Sequence, residues 1–229
     1  NACRPWLLKK RSRRQRGVSL NAVNPAHLLR KIALTPHDRP LAGFFAKFFV
    51  FQAAVEAGAE AVLVSGPVGD HGVCVMLARE QFGMRGDLRS DAASVLPLTR
   101  AVRELPGLRF MRDPTRGGLA TVMHEIRAAT GMGMRIGAGD VPVHDPVAAV
   151  CEMLGYDPLY LACEGRVVAV LAPDTAADAL ARWQAVPGGE AAAIIGRVAA
   201  DETRVVLETE LGGERVLEEL EDDPLPRIC

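Results

Sequence analysis

The chain has 229 residues, of which 49% are hydrophobic and 24% are charged, so it can bury a full core and is not a disordered protein as a whole. Its formal net charge of -1 gives no reason to expect a nucleic-acid partner. Five cysteines, an odd number without the CxxC spacing of a zinc site or redox pair, favour a reducing cytoplasm over a disulfide framework.

Residues 1–58 differ in composition from the rest of the chain. Residues 1–16 carry seven Lys or Arg and no acid, and we expect this basic tract to be disordered. Five of the seven phenylalanines lie between Leu41 and Phe51. We predict that residues 44–57 form an amphipathic or buried helix that docks on a partner or on the main domain.

A membrane span through Ala61 is a weaker interpretation of this segment. Such a span would bury Lys47, Glu56 and Glu60. Each of these charges costs about 2.5 to 3.5 kcal/mol near the middle of a bilayer on insertion scales. We therefore expect no membrane segment.

Residues 59–221 show alternating strand and helix patterns and are predicted to form one α/β domain. Short apolar runs between turn residues predict strands at 61–64, 108–112, 132–136, 166–171, 192–198 and 205–209. Apolar residues at helical spacing predict helices after Gly72, at 94–105, after Gly118, at 146–154 and at 175–185. We predict an α/β (α+β) fold in which helices cover a mixed sheet.

The turn from Asp113 to Gly118 has the properties of an anion site. Gly117 and Gly118 allow close backbone approach, the following helix offers unpaired N–H groups, and Arg116 adds a forked cation suited to phosphate. In the alternative interpretation, Asp113 or Thr115 simply caps the helix.

A second turn, Gly69–Gly72, has similar alternatives. Asp70, His71 and Gly72 are candidates for cofactor binding at the start of a helix. Alternatively, Asp70 is a helix N-cap, and His71 is a packed or solvated histidine.

Residues 222–229 are predicted to be a flexible tail. Asp222, Asp223 and Pro224 should project this tail into solvent, and it carries Cys229. A thiolate can accept an acyl or carbamoyl group, so Cys229 is a candidate carrier. The alternatives are a cysteine without function or a truncated prenylation signal, which would need three residues after the cysteine.

Taken in order, seven motifs resemble the HypE family of hydrogenase expression/formation proteins, within the aminoimidazole ribonucleotide synthetase-like superfamily. The resemblance spans residues 59 to 229 and rests on Val62–Gly66, Gly69–Gly72, Asp113–Ala120, Asp157–Tyr160, Glu164–Gly165, Ala193–Gly196 and Pro226–Cys229. It implies the C-terminal α/β domain of that superfamily, which faces an ATP-binding N-terminal domain across a cleft.

The resemblance also implies a reaction. A HypF-like carbamoyltransferase would load a carbamoyl group on Cys229, and ATP with magnesium would drive dehydration of the S-carboxamide to an S-thiocyanate. The cyanide would then pass to iron on a HypC/HypD-like scaffold for the [NiFe] hydrogenase centre. Glu164 matches the family glutamate expected to act as the base. The residues alone favour a solvated turn carboxylate before the strand at Arg166.

The sequence also departs from the family pattern. Before Ala61 it lacks the acidic residues and the Gly-Asp-Thr-Lys motif that hold magnesium and ATP in the family, and Cys163 stands where an asparagine is expected. We therefore expect the chain as written to bind ATP weakly or not at all, with residues 1–58 a fragment start or a replaced region. The alternative function is a non-catalytic carrier and docking module; the sequence identifies neither metal ligands nor an oligomeric state.

Overall fold

One mixed β-sheet organises the part of the chain that the computed structural model describes, residues 60–80 and 88–220. Within these ranges it has seven strands: β1 (Ala61–Val64), β2 (Leu108–Arg112), β3 (Gly133–Gly137), β4 (Val168–Leu171), β5 (Ala193–Ala199), β6 (Val205–Glu208) and β7 (Glu214–Val216). Their spatial order is β2-β4-β1-β5-β3-β6-β7. Neighbouring strands are antiparallel except β3 and β6, which are parallel.

Helices connect the strands, as the sequence predicts. The α-helices of the described ranges are α1 (Asp70–Glu80), α2 (Leu96–Val102), α3 (Gly118–Thr130), α4 (Asp145–Leu154) and α5 (Ala176–Gln184). The predicted α/β (α+β) fold is confirmed, and the predicted elements agree with these bounds to within a few residues. The short strand β7 and three 3-10 turns, at Ala138–Asp140, Pro158–Tyr160 and Pro173–Thr175, were not predicted.

Both faces of the central strands are buried. In β1, Val62 and Val64 point into one apolar cluster, whereas Ala61 and Leu63 point into another on the opposite face. This alternation follows from the two-residue period of a strand. A strand covered on both sides reads as a continuous apolar run, which is why Ala61–Val64 is recognisable in the sequence.

Helix α3 covers the first face through the residues that its periodicity predicts. Leu119, Val122, Met123 and Ile126 are all buried in the cluster that contains Val62. Helices α2 and α5 cover the second face.

The side chain of Trp183 in α5 is fully buried on that second face. Its Nε1–H donates a hydrogen bond to the carbonyl oxygen of Leu98 in α2 across 3.0 Å. This bond satisfies the only polar group of the indole, so the largest side chain of this cluster carries no unpaired donor.

A third, smaller cluster joins α1 to α4. Val73 and Met76 of α1 are buried against Val147 and Val150 of α4, together with Leu161. The predicted apolar face of α1 is thus confirmed, and it fixes the N-terminal end of α1 beside residue 161.

Several predictions concern residues outside the described ranges. These are the basic tract, the helix at 44–57, and the tail at 222–229 with Cys229. Among the described helices, none is both long and apolar enough to cross a bilayer.

Candidate functional site

The loop at residues 161–165 connects the two turns that the sequence singles out. On one side, Gly72 N–H donates to the carbonyl of Ala162 across 3.0 Å. On the other side, Cys163 N–H donates to the carbonyl of Pro114, also across 3.0 Å. Glu164 follows directly, so the structure gathers the Asp70 turn, the Asp113 turn and Glu164 into one site.

Cys163 forms a buried link within this site. Its side chain has no solvent exposure, and its Sγ accepts the N–H of Gly69 across 3.3 Å. Burial raises the pKa of this thiol well above its ordinary value. At the position where the family pattern has an asparagine, this chain thus has a sulfur that accepts the Gly69 N–H.

Glu164 is a partly buried carboxyl whose protonation is perturbed. Burial raises its pKa, and the negative charges of Asp113 and Asp91 raise it further, while His71 acts in the opposite direction. A carboxyl with a raised pKa in a polar cluster is a candidate general base. Glu164 is thus not a freely solvated turn residue.

The Asp113–Gly118 turn leads into α3 without a side-chain cap. The N-cap residue is Gly117, in the left-handed region at φ 63°, and no side chain caps the helix there. The interpretation of Asp113 or Thr115 as the cap is wrong, because the left-handed turn puts Gly117 directly before the first helical residue. Arg116 is exposed beside this uncapped helix end.

Gly118 provides a close backbone contact with the protein itself. Its φ is 59°, and a Cβ at this position would lie 2.5 Å from the carbonyl oxygen of Leu161 and 2.6 Å from that of Leu159. The glycine thus allows α3 to approach the backbone of residues 159–161. This packing role does not depend on a phosphate.

Asp70 and His71 lie in the first turn of α1 and contact different partners. The Asp70 carboxylate is almost fully buried, accepts Nδ1–H of His144 across 2.9 Å, and lies 3.6 Å from Arg166 Nη2. Asp70 therefore belongs to an ion-pair network. The His71 Nδ1 is 2.9 Å from the hydroxyl oxygen of Ser90.

The last described residues lie against the same site. The carbonyl of Leu217 accepts Nε2–H of His124 across 3.0 Å, and that of Glu218 accepts the Tyr160 hydroxyl across 2.8 Å. Leu220 Cδ2 is 3.3 Å from the position a Cβ would occupy on Gly117. Residues 217–220 thus bring the start of the tail to the Asp113–Gly118 turn.

Comparison with known families identifies this architecture. The family model described as AIR synthase related protein, C-terminal domain, matches residues 57–208. The chain belongs to this family.

Known members of the AIR synthase related family resemble the chain closely. Carbamoyl dehydratase HypE of Azotobacter vinelandii is 44% identical over 170 residues, which are 73% of this chain and 50% of that protein. The crystal structure of Escherichia coli HypE matches with a TM-score of 0.73 and 40% identity, covering 78% of this chain and 55% of that one. The predicted resemblance to HypE is confirmed, and the chain spans about half the length of the curated relatives it matches.

Two further solved structures show relatives with bound molecules. A HypE–HypF complex matches with a TM-score of 0.67 and 38% identity, over 72% of this chain and 53% of that one. HypE in complex with ATP matches with a TM-score of 0.67 and 40% identity, over 72% of this chain and 52% of that one.

The described part of the chain contains no set of side chains suited to hold magnesium. Residues 60–80 and 88–220 contain no group of three or more His, Cys, Asp or Glu side chains arranged to hold a metal ion.

Several residues of the site were not identified from the sequence. Arg166 and His144 pair with Asp70, Ser90 contacts His71, and Asp91 contacts the Glu164 turn. These residues lie in loops or at element ends, far apart along the chain, and no periodic pattern marks them. Only the motif order that includes Glu164–Gly165 indicated this region.

Proposed function

We propose that this chain acts in hydrogenase maturation as a carbamoyl dehydratase that carries its substrate on Cys229, with Glu164 as the base. The observation that carries the proposal is the convergence of the two turns and Glu164 on the 161–165 loop, with Leu220 beside Gly117. The likeness to HypE proteins supports the same role.

The tail is long enough to bring Cys229 to Glu164. Nine peptide bonds connect Leu220 to Cys229. Extended, they span up to about 30 Å, at roughly 3.3 to 3.6 Å per residue. Leu220 lies at Gly117, only three residues from the Pro114 that bonds to Cys163, so this reach is sufficient.

The proposed reaction removes one water from the carried group. The Cys229 thiolate attacks the carbamoyl carbon of the donor that the carbamoyltransferase supplies and displaces the donor's leaving group, which is phosphate for carbamoyl phosphate, to give an S-carboxamide. The amide oxygen of the S-carboxamide attacks the γ-phosphate of ATP and displaces ADP, and one of the two N–H protons is released to solvent. As phosphate departs and the C≡N bond forms, Glu164 accepts the remaining N–H proton, which gives the S-thiocyanate.

Two other cysteines of the described ranges are poor competitors for the carbamoyl group. Cys151 and Cys163 are buried, and burial raises the pKa of Cys151 to about 11 and that of Cys163 further. Because the thiolate is the nucleophile, neither side chain reacts readily near neutral pH. Cys74 is partly exposed, and burial raises its pKa as well.

The uncapped start of α3 fits one phosphate group of the nucleotide. Arg116 is exposed there, and no side chain competes for the N–H groups of the first helical turn at the N-cap. In this proposal Arg116 binds phosphate, with Thr115 and Gly117 beside it. The charge of Asp113 acts on Glu164, and Gly72, which follows Asp70 and His71, bonds to the other side of the 161–165 loop.

The partner that loads Cys229 is proposed to be a HypF-like carbamoyltransferase. The HypE–HypF complex among the structural relatives supports this choice. The cyanide group would then be delivered to a HypC/HypD-like iron scaffold in the cytoplasm.

Mass spectrometry of the 229-residue chain tests the proposal. The chain is incubated with the carbamoyltransferase and carbamoyl phosphate, with and without added ATP for the second step, and its peptides are mapped. We expect a carbamoyl adduct on Cys229 and no adduct in Cys229→Ala, and loss of one water from the adduct would show that the chain uses ATP although the ATP-holding motifs of the family are missing before Ala61. An adduct that maps to Cys74 would contradict the carrier assignment, whereas an adduct on Cys229 that never loses water would favour the carrier and docking module.

A further inference from the structure

Asp91 makes two hydrogen bonds to the turn that carries the proposed base. Its Oδ1 accepts the backbone N–H of Glu164 across 3.3 Å, and its Oδ2 accepts that of Gly165 across 3.2 Å. The Asp91 side chain has no solvent exposure. Because a carboxylate has two acceptor oxygens in one plane, it can hold two successive N–H groups in a fixed orientation.

Arg166 compensates the buried charge of Asp91. The Arg166 Nε lies 3.6 Å from Asp91 Oδ2, and the Arg166 side chain is only 12% exposed. The same Nε–H donates a hydrogen bond to the carbonyl of Pro67 across 2.9 Å, and Nη1–H donates one to the carbonyl of Gly188 across 3.0 Å. These two bonds hold the guanidinium in place beside the buried carboxyl group of Asp91.

The segment that contains Asp91 also contacts His71. A Cβ on Gly165 would clash with the backbone oxygen of Asp91, so the two backbones pack directly. One residue earlier, Ser90 Oγ lies 2.9 Å from His71 Nδ1 and accepts the N–H of Ala92 across 3.1 Å. Residues 90–92 therefore bridge His71 and Glu164.

We propose that Asp91 is a positioning residue, which orients the Glu164 carboxyl by holding the backbone N–H groups of Glu164 and Gly165. The structural part of this inference concerns the turn alone. Its consequence for catalysis rests on the proposed function, in which Glu164 removes a proton from the carried group. A base displaced from its proton by about 1 Å loses on the order of a hundredfold in rate.

Amide hydrogen exchange tests the structural part without any enzymatic activity. In the wild-type chain, we expect the Glu164 and Gly165 amides to be protected. In Asp91→Asn their exchange should accelerate by about tenfold or more, because one charge-assisted acceptor is lost. Unprotected amides in the wild type, or unchanged exchange in a folded Asp91→Asn chain, would overturn the proposal.

Two matched variants separate positioning from other effects. Trp183→Phe removes a buried hydrogen bond on the far face of the sheet and reports general loss of stability. Asp113→Asn removes a second negative charge that acts on Glu164. Neither variant removes an acceptor of the Glu164 or Gly165 amide, so neither should accelerate their exchange selectively.

Titration of the Glu164 carboxyl by carbon NMR gives a second readout. Asp91→Asn should lower its pKa, because a charge that raises the pKa is lost and the turn becomes more solvated. In the carbamoyl dehydration assay, the same variant should lower kcat about tenfold or more with the KM for ATP unchanged. Full turnover in Glu164→Gln would contradict the proposed function. Amide hydrogen exchange at Glu164 and Gly165 would still show whether Asp91 holds this turn.

Discussion

The hydroxyl of Tyr160 donates a hydrogen bond to the backbone carbonyl of Glu218 across 2.8 Å. Tyr160 ends the 3-10 turn Pro158–Tyr160, whose backbone also packs against Gly118. The bond therefore ties the residues that precede the tail to the same structure that positions the start of α3. His124 adds a second such bond, to the carbonyl of Leu217.

Removing the Tyr160 hydroxyl should loosen the attachment of the tail. We expect Tyr160→Phe to lower the free energy of unfolding by about 0.5 to 1.5 kcal/mol and to increase amide exchange selectively at residues 217–220. Tyr156→Phe, at a more exposed tyrosine after α4, is the matched control. Equal exchange at residues 217–220 in the wild type and Tyr160→Phe would show that this bond does not hold the tail.

The sequence predicts the fold well where burial produces a pattern. Ala61–Val64 and the core face of α3 are recognisable because strands and helices bury apolar residues at fixed periods. Strand β7 escaped prediction because Glu214, Arg215 and Val216 include two charged residues and are at most partly buried. Its pairing depends on β6 and on the Arg135 contacts with Glu208 and Glu214, which no local pattern encodes.

Gly118 and Gly131 offer a matched pair for measuring the close approach between α3 and residues 159–161. Both glycines have positive φ, at 59° and 74°, but a Cβ on Gly131 meets nothing within 4 Å. We expect Gly131→Ala to cost about 1 to 2 kcal/mol from backbone strain alone. Gly118→Ala should cost about 1 to 3 kcal/mol more, because its Cβ would overlap the carbonyls of Leu159 and Leu161.

Denaturant unfolding of both variants measures this difference. An equal loss of stability would mean that residues 159–161 move away from α3 without cost. The hydrogen bond from Tyr160 to Glu218 would then also be disturbed, and faster amide hydrogen exchange at residues 217–220 would detect this change.

The candidate site is less visible in the sequence than the fold, for a physical reason. Asp91 and Arg166 are polar residues in loops, and their burial depends on contacts between segments 73 to 99 residues apart. Propensity and periodicity describe only neighbouring residues along the chain. The turns at Asp113 and Asp70 were candidate sites from their glycines and the helices that follow them, whereas Glu164 could be assigned a role only because its motif belongs to a series that resembles a known family.

Arg116 should contribute directly to nucleotide binding if the start of α3 binds phosphate. Loss of one charge-assisted contact in Arg116→Ala should weaken ATP binding by about 1.5 to 3 kcal/mol, or roughly ten- to over a hundredfold. Arg182→Ala, on α5 across the sheet, removes a similar exposed arginine and should leave the affinity unchanged. Calorimetric titration of the three proteins with ATP measures the effect, and equal affinities would leave Arg116 without a role in binding.

The raised pKa of Glu164 predicts opposite effects on stability and activity as the pH rises. Burial favours the protonated carboxyl in the folded state, so its contribution to stability is fully present below the unfolded pKa and is lost as the pH rises through the folded pKa. Glu164→Gln should therefore be more stable than the wild type at neutral pH, with the difference disappearing near pH 4. Exposed Glu152→Gln controls for the loss of one negative charge.

Activity depends on the ionised form of the same carboxyl. Turnover of the carbamoylated chain should rise with pH through an apparent pKa above that of an ordinary glutamate, and Glu164→Gln should reduce kcat by about a hundredfold or more. Chemical denaturation and single-turnover mass spectrometry, both from pH 4 to pH 8, measure the two effects. A Glu164→Gln variant that is less stable than the wild type at neutral pH would contradict the expected cost of ionising this carboxyl in the folded state. A variant that is fully active would contradict its role as the base.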